Sequence, residues 1–170
     1  MIPMFNECVI RTVDDLLEKV DSIEKYVRHS KEYRFYLKYM KEELKLRSCN
    51  FFCNVDFVDN DLSLELHHII TLYDLCVLAG RKLLDKLKEG EFLTTFDVAK
   101  EVIMMHFNDW IPVVMLSKTI HEMVHANLYE LQPHTPMINV GIYTSFIKAY
   151  GKYLLPDHYI KYKELGVNLT

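Results

Sequence analysis

Apolar side chains recur at helical spacing over residues 11–28, where Val13, Leu16, Leu17, Val20, Ile23 and Val27 fall on one side of a predicted helix. Thr12 is placed to cap it, and Asp14 and Asp15 in the first turn suit the positive end of the helix dipole. Residues 31–46 predict a second helix, with aromatic rings on one side and Lys31, Arg34, Lys38, Lys41 and Lys45 on another. The pattern then changes. CNFFCNVDFV is rich in aromatic and β-branched residues, DN is a turn signal, and LSLELHHII alternates Leu62, Leu64 and Leu66 with polar neighbours. This predicts two short strands joined by a tight loop.

Helical spacing returns in TLYDLCVLAGRKLLDKLK, which stops at Gly90, and again in FLTTFDVAKEVIMMHF behind a threonine cap. WIPVVMLS reads as a short apolar strand, and Pro112 predicts an edge or irregular piece. Ser117 can cap a helix over SKTIHEMVHANLYEL, PHTP interrupts the chain, and further helices are expected over 139–153 and after Pro156. There is no internal repeat and no low-complexity linker. The 170 residues fit one domain of α+β class, predominantly helical.

Composition narrows the function classes only a little. Half of the residues are hydrophobic and about a quarter charged, enough apolar surface for a real core, which excludes a disordered or fibrous chain. The net charge of −4 argues against nucleic-acid binding by global charge, because such affinity comes largely from neutralising phosphates. A local stripe can still act on an acidic protein. The basic side of the second helix (Arg34, Lys38, Lys41, Lys45), with Arg81, Lys82, Lys86 and Lys88, is the candidate; a solvated helix face is the competing reading. The N-terminus carries no secretory signal pattern, and no stretch has the roughly 18 uninterrupted apolar residues of a membrane span. A reducing cytoplasm is therefore expected, with Cys8, Cys49, Cys53 and Cys76 as free thiols; the lone CxxxC of Cys49 and Cys53 is a weak zinc signal.

Four of the eight histidines lie in two tight groups. His67 and His68 are adjacent on a predicted strand and must point to opposite faces, so they cannot share one role. His121 and His125 are one turn apart on a predicted helix and share a face, a spacing at which two imidazoles can grip one divalent cation. Together they predict a metal or catalytic site. HEMVH at 121–125 also matches the HExxH of zinc metalloproteases, with Glu122 as general base and a third ligand from Glu130, Asp157 or Glu164, a reading that leaves His67 and His68 unexplained. His106 is expected to be structural or partly exposed, His134 lies in a loop, and His29 and His158 carry no signal.

The segments LELHHI and PVVMLSKTIHEMVH resemble the HNH (His-Me finger) nucleases, in which two strands and a helix clasp a single divalent cation, and look most like the small HNH proteins of bacteriophages. The resemblance covers roughly residues 49–129. It implies a ββα-metal core at 48–130 with a helical insertion at about 70–108, N-terminal helices at 1–47 and a helical extension over 131–170. It also implies His67, His121 and His125 as ligands of one Mg²⁺, Mn²⁺, Ni²⁺ or Zn²⁺ ion, with His68 as general base. Pro112 stands where the family has asparagine, and Asn108 is four residues early. The expectation is a metal-dependent endonuclease hydrolysing DNA phosphodiester bonds in the cytoplasm of a bacterial host, with phage packaging proteins as possible partners. The alternatives are an HExxH zinc protease and a non-catalytic, metal-stapled interaction protein.

Overall fold

The computed structural model describes residues 7–43, 49, 51, 63–131 and 143–164. Among these, the chain is a mixed α+β protein, mostly helical, with two small antiparallel sheets. Helix α1 (Val13–His29) starts as its sequence predicts: Thr12 accepts from the Asp15 amide, and the Asp15 carboxylate accepts from the Thr12 amide. This reciprocal capping box satisfies two amides that the first turn cannot. Ser30 then ends α1 and caps α2 (Lys31–Glu42), so the two helices meet at one residue.

Strand β2 (Leu64–His68) precedes α3 (Leu72–Leu84), and α4 (Thr95–Phe107) follows with Thr94 and Asp97 forming a second capping box. Helices α1, α3 and α4 pack on one another and form the main core, with Leu16, Val20, Ile23, Leu75, Cys76, Ala79, Val98 and Val102 fully buried. Gly80 allows the close approach of α3 to α1, because a Cβ there would run into the Leu16 side chain. Residues 70–108 are therefore the centre of the fold rather than an insertion beside it. A two-residue ladder, β1 (Val9–Ile10) with β3 (Leu93–Thr94), ties the N-terminal segment to the start of α4.

Strand β4 (Val113–Ser117) is buried along its whole length and pairs antiparallel with β2. The register sets Glu65 against Leu116, His67 against Val114 and His68 against Val113. Pro112 lies just before β4, where its missing N–H costs nothing, and its carbonyl accepts from the Ile69 amide. The expected strand over 49–58 lies almost wholly outside the described residues, so the partner of LELHH found here is the distant β4. Ser117 caps α5 (Lys118–His125), which stops several residues short of the expected end. Asn127 takes a left-handed conformation (φ 54°), its amide bonds the Val124 carbonyl and the Leu128 amide bonds the Met123 carbonyl. This Schellman pattern closes the helix. After a gap in the described residues come α6 (Tyr143–Tyr150), a 3₁₀ turn at Gly151–Tyr153 and α7 (Pro156–Glu164). No described helix is long and apolar enough to cross a membrane.

Candidate metal centre

The two-residue period of β2 separates its histidines. His67 turns towards α5, where its ring centroid lies 5.3 Å from that of His121 and 5.2 Å from that of His125. The four-residue spacing on α5 sets His121 and His125 on one face with their ring planes nearly perpendicular and their Nε2 atoms 3.2 Å apart. One nitrogen from each of the three rings lies within 4.8 Å of the others. His67 is buried, His121 half-buried and His125 exposed, so the cluster runs from the sheet interior to the surface. Glu65 lies two residues before His67 on β2, and its Oε2 is 2.6 Å from His121 Nδ1. Burial and the neighbouring His125 hold His121 below the usual imidazole range, against the pull of Glu65. The ring is therefore neutral near pH 7, and it donates Nδ1–H to the carboxylate.

His68 points the other way, into the core beneath α2 and α4. Its Nε2 is 2.9 Å from His106 Nε2, and its ring stacks on Tyr33 at 6.3 Å. His106 Nδ1 lies 2.7 Å from the Val102 carbonyl, which can only accept, so the N–H is on Nδ1. His106 Nε2 then accepts from His68 Nε2–H. Burial pushes His106 down to about 4 and takes His68 well below the usual range, with His106 the next cause for His68. A buried imidazole that already donates its Nε2 proton to a neighbour, on the face opposite the His67 cluster, cannot take a proton from a water held by that cluster. Asn108 is exposed at the C-cap of α4 and is not among the convergent ligand residues.

The basic residues do not act as one stripe. Arg34 is spent on the carbonyls of His29 and Ser30 at the α1–α2 junction. Lys38 pairs with Glu42 at 3.6 Å, Lys41 is exposed, and Lys45 lies outside the described residues. Arg81 is half-buried on α3, beside a pocket of about 150 Å³ between α1, α3 and the C-terminal helices. Lys82 is withdrawn from the surface: its Nζ bonds Glu101 at 2.8 Å and Tyr150 at 3.0 Å, locking α6 to α3 and α4. Glu122 is exposed and faces Lys118 at 3.8 Å.

Two features lie beyond the sequence-based expectations. Glu65 is legible in principle, because alternation sets it on the face of His67. The His68–His106 pair is not, since it depends on how α4 crosses the sheet. Of the cysteines, Cys49 and Cys76 are buried free thiols, Cys8 is half-buried, and Cys53 lies outside the described residues.

Comparison with known proteins corrects the functional expectation. No curated protein and no solved structure matches the chain. The family match is not to the HNH nucleases, which overturns that assignment and with it the endonuclease, the protease and enzymatic activity as the expected function. The phage origin stands. The match spans residues 4–167, nearly the whole sequence, and the chain belongs to the bacteriophage G278-like virion protein family.

Proposed function

We propose that this chain is a non-catalytic structural component of a bacteriophage particle, in which a divalent metal ion on His67, His121 and His125 fastens β2 to α5. Convergence of the three imidazoles carries the reading. Two nitrogens bound to one tetrahedral zinc at 2.0–2.1 Å lie about 3.3 Å apart, and the Nε2 atoms of His121 and His125 are separated by 3.2 Å. All-imidazole donor sets suit Zn²⁺ or Ni²⁺ better than Mg²⁺ or Mn²⁺. The ββα arrangement of two paired strands and a helix is then a staple, in which the ion joins segments more than fifty residues apart in sequence. A virion component works by associating with other phage proteins, and the ion would keep the shape of the surface it offers them.

Two measurements test this reading. Elemental analysis of the chain, stripped with chelator and dialysed against Zn²⁺, should give about one ion per chain, and His121→Ala should lose it. Purified phage particles should contain the chain at fixed stoichiometry by quantitative mass spectrometry. Failure to retain any divalent ion sinks the staple, and absence from particles sinks the structural assignment.

A further inference from the structure

Alternation along β2 sets Glu65 and His67 on the same face, the one towards α5. The Glu65 carboxylate can only accept a hydrogen bond, so His121 Nδ1, 2.6 Å away, must carry the proton. A neutral imidazole with its proton on Nδ1 has its lone pair on Nε2. That Nε2 is the atom which meets His125 Nε2 at 3.2 Å. Glu65 therefore both fixes the tautomer of His121 and aims its lone pair into the cluster. The convergent ligand set among the described residues consists of the three histidines, and Glu65 sits behind His121 instead of joining it. His125 is exposed at the outer end of the cluster, so the site opens to solvent on that side.

From this geometry we propose that Glu65 is the positioning carboxylate of a three-histidine metal centre whose fourth coordination position is left to exchangeable solvent and accepts a small monodentate anion. The proposal rests on the metal reading above and deepens it. A carboxylate behind a ligating imidazole raises ligand basicity and locks the ring orientation, and loss of such a partner typically costs 10–100-fold in metal affinity. A site with three protein ligands and one open position differs from a closed four-ligand staple, because an outside donor can reach the ion.

The test uses the full chain with Co²⁺ as the probe ion and thiocyanate as the probe anion. Visible absorption should show one Co²⁺ per wild-type chain, and thiocyanate should shift the bands in a saturable way. Glu65→Gln should bind Co²⁺ about ten-fold more weakly and Glu65→Ala up to about a hundred-fold, both at unchanged stoichiometry. A measurement without metal separates the two readings: nitrogen NMR of the histidine rings should find His121 as the Nδ1–H tautomer in the wild type, with that preference lost in Glu65→Ala. Equal Co²⁺ affinity in all three proteins, or an unchanged tautomer, overturns the role of Glu65. Bands indifferent to thiocyanate overturn the open position, and a wild type that binds no Co²⁺ while keeping the Nδ1–H tautomer overturns the metal reading instead.

Discussion

His106 is neutral because it is wholly buried, and the consequence is a pH-dependent stability. Its folded-state pKa is about 4, against the usual 6.5 in the unfolded chain. The unfolded state therefore binds a proton through this interval that the folded state refuses. Stability should be complete above pH 6.5 and fall as the pH drops towards 4, by on the order of 3 kcal/mol from this group alone. His68, depressed for the same reason, adds in the same direction. Urea unfolding of chelator-treated protein at pH 7.5, 6 and 4.5 would show a falling midpoint, whereas a constant midpoint would contradict the buried neutral pair. Lys82 makes a second residue-scale case. Lys82→Met would leave the Glu101 carboxylate half-buried without its cation, at a cost of about 2–4 kcal/mol in urea unfolding. The sequence marked Lys82 as a candidate phosphate contact because it is one of the basic residues Arg81, Lys82, Lys86 and Lys88, and basic composition says nothing of Glu101 and Tyr150 arriving from other helices. Strand alternation, by contrast, is a local property of the backbone, so the divergence of His67 and His68 follows from their adjacency in the sequence alone.

The elements most legible in the sequence are those with chemical signals at their ends. The capping boxes at Thr12–Asp15 and Thr94–Asp97 mark the starts of α1 and α4, and Ser117 marks that of α5. Helix ends set by backbone conformation are harder to see, since apolar spacing continues past His125 through Leu128 and Leu131. The stop comes from Asn127 at φ 54°, in the left-handed region that asparagine tolerates and β-branched residues do not. Asn127→Gly should leave thermal stability within a few tenths of a kcal/mol of the wild type or raise it, and Asn127→Val should cost about 1–2 kcal/mol. Because this closure fixes the last turn, which carries His125, the valine variant should also weaken metal binding. A valine variant as stable as the wild type would mean that the helix end is free to rearrange. The pairing of β2 with β4 is legible only in the resemblance of the two segments to a unit of two strands and a helix, and not in their local pattern, for a different reason. Two five-residue strands separated by two helices carry no local signal of which strand they will meet, and the nearer CNFFCNVDFV is the economical choice of partner.

At the scale of the molecule, the residues suggesting a nuclease and those suggesting a staple are the same, because an HH pair on a strand and an HxxxH helix specify only where imidazoles converge. What distinguishes the two is the partner left over, and His68 is buried against His106 in the core. The apolar core runs without a break from α1, α3 and α4 into the buried strand β4 and Ile120 of α5, and the histidine cluster lies at the outer end of the β2–β4–α5 unit. Native proteins open locally in such units, with free energies well below that of global unfolding. An ion bound only when β2 and α5 are in place stabilises the closed form by RT ln(1 + [L]/Kd), about 2.7 kcal/mol at a hundred-fold excess over Kd. Hydrogen exchange with and without Zn²⁺ should therefore slow by roughly a hundred-fold at the amides of 64–68 and 114–125 that open locally. Amides of α1 that exchange through local fraying should not change, and only its most protected amides, which open with the whole molecule, should slow as well. Protection spread evenly over all helices would mean that the ion acts on global stability alone, and the β2–β4–α5 unit would then be an integral part of the core.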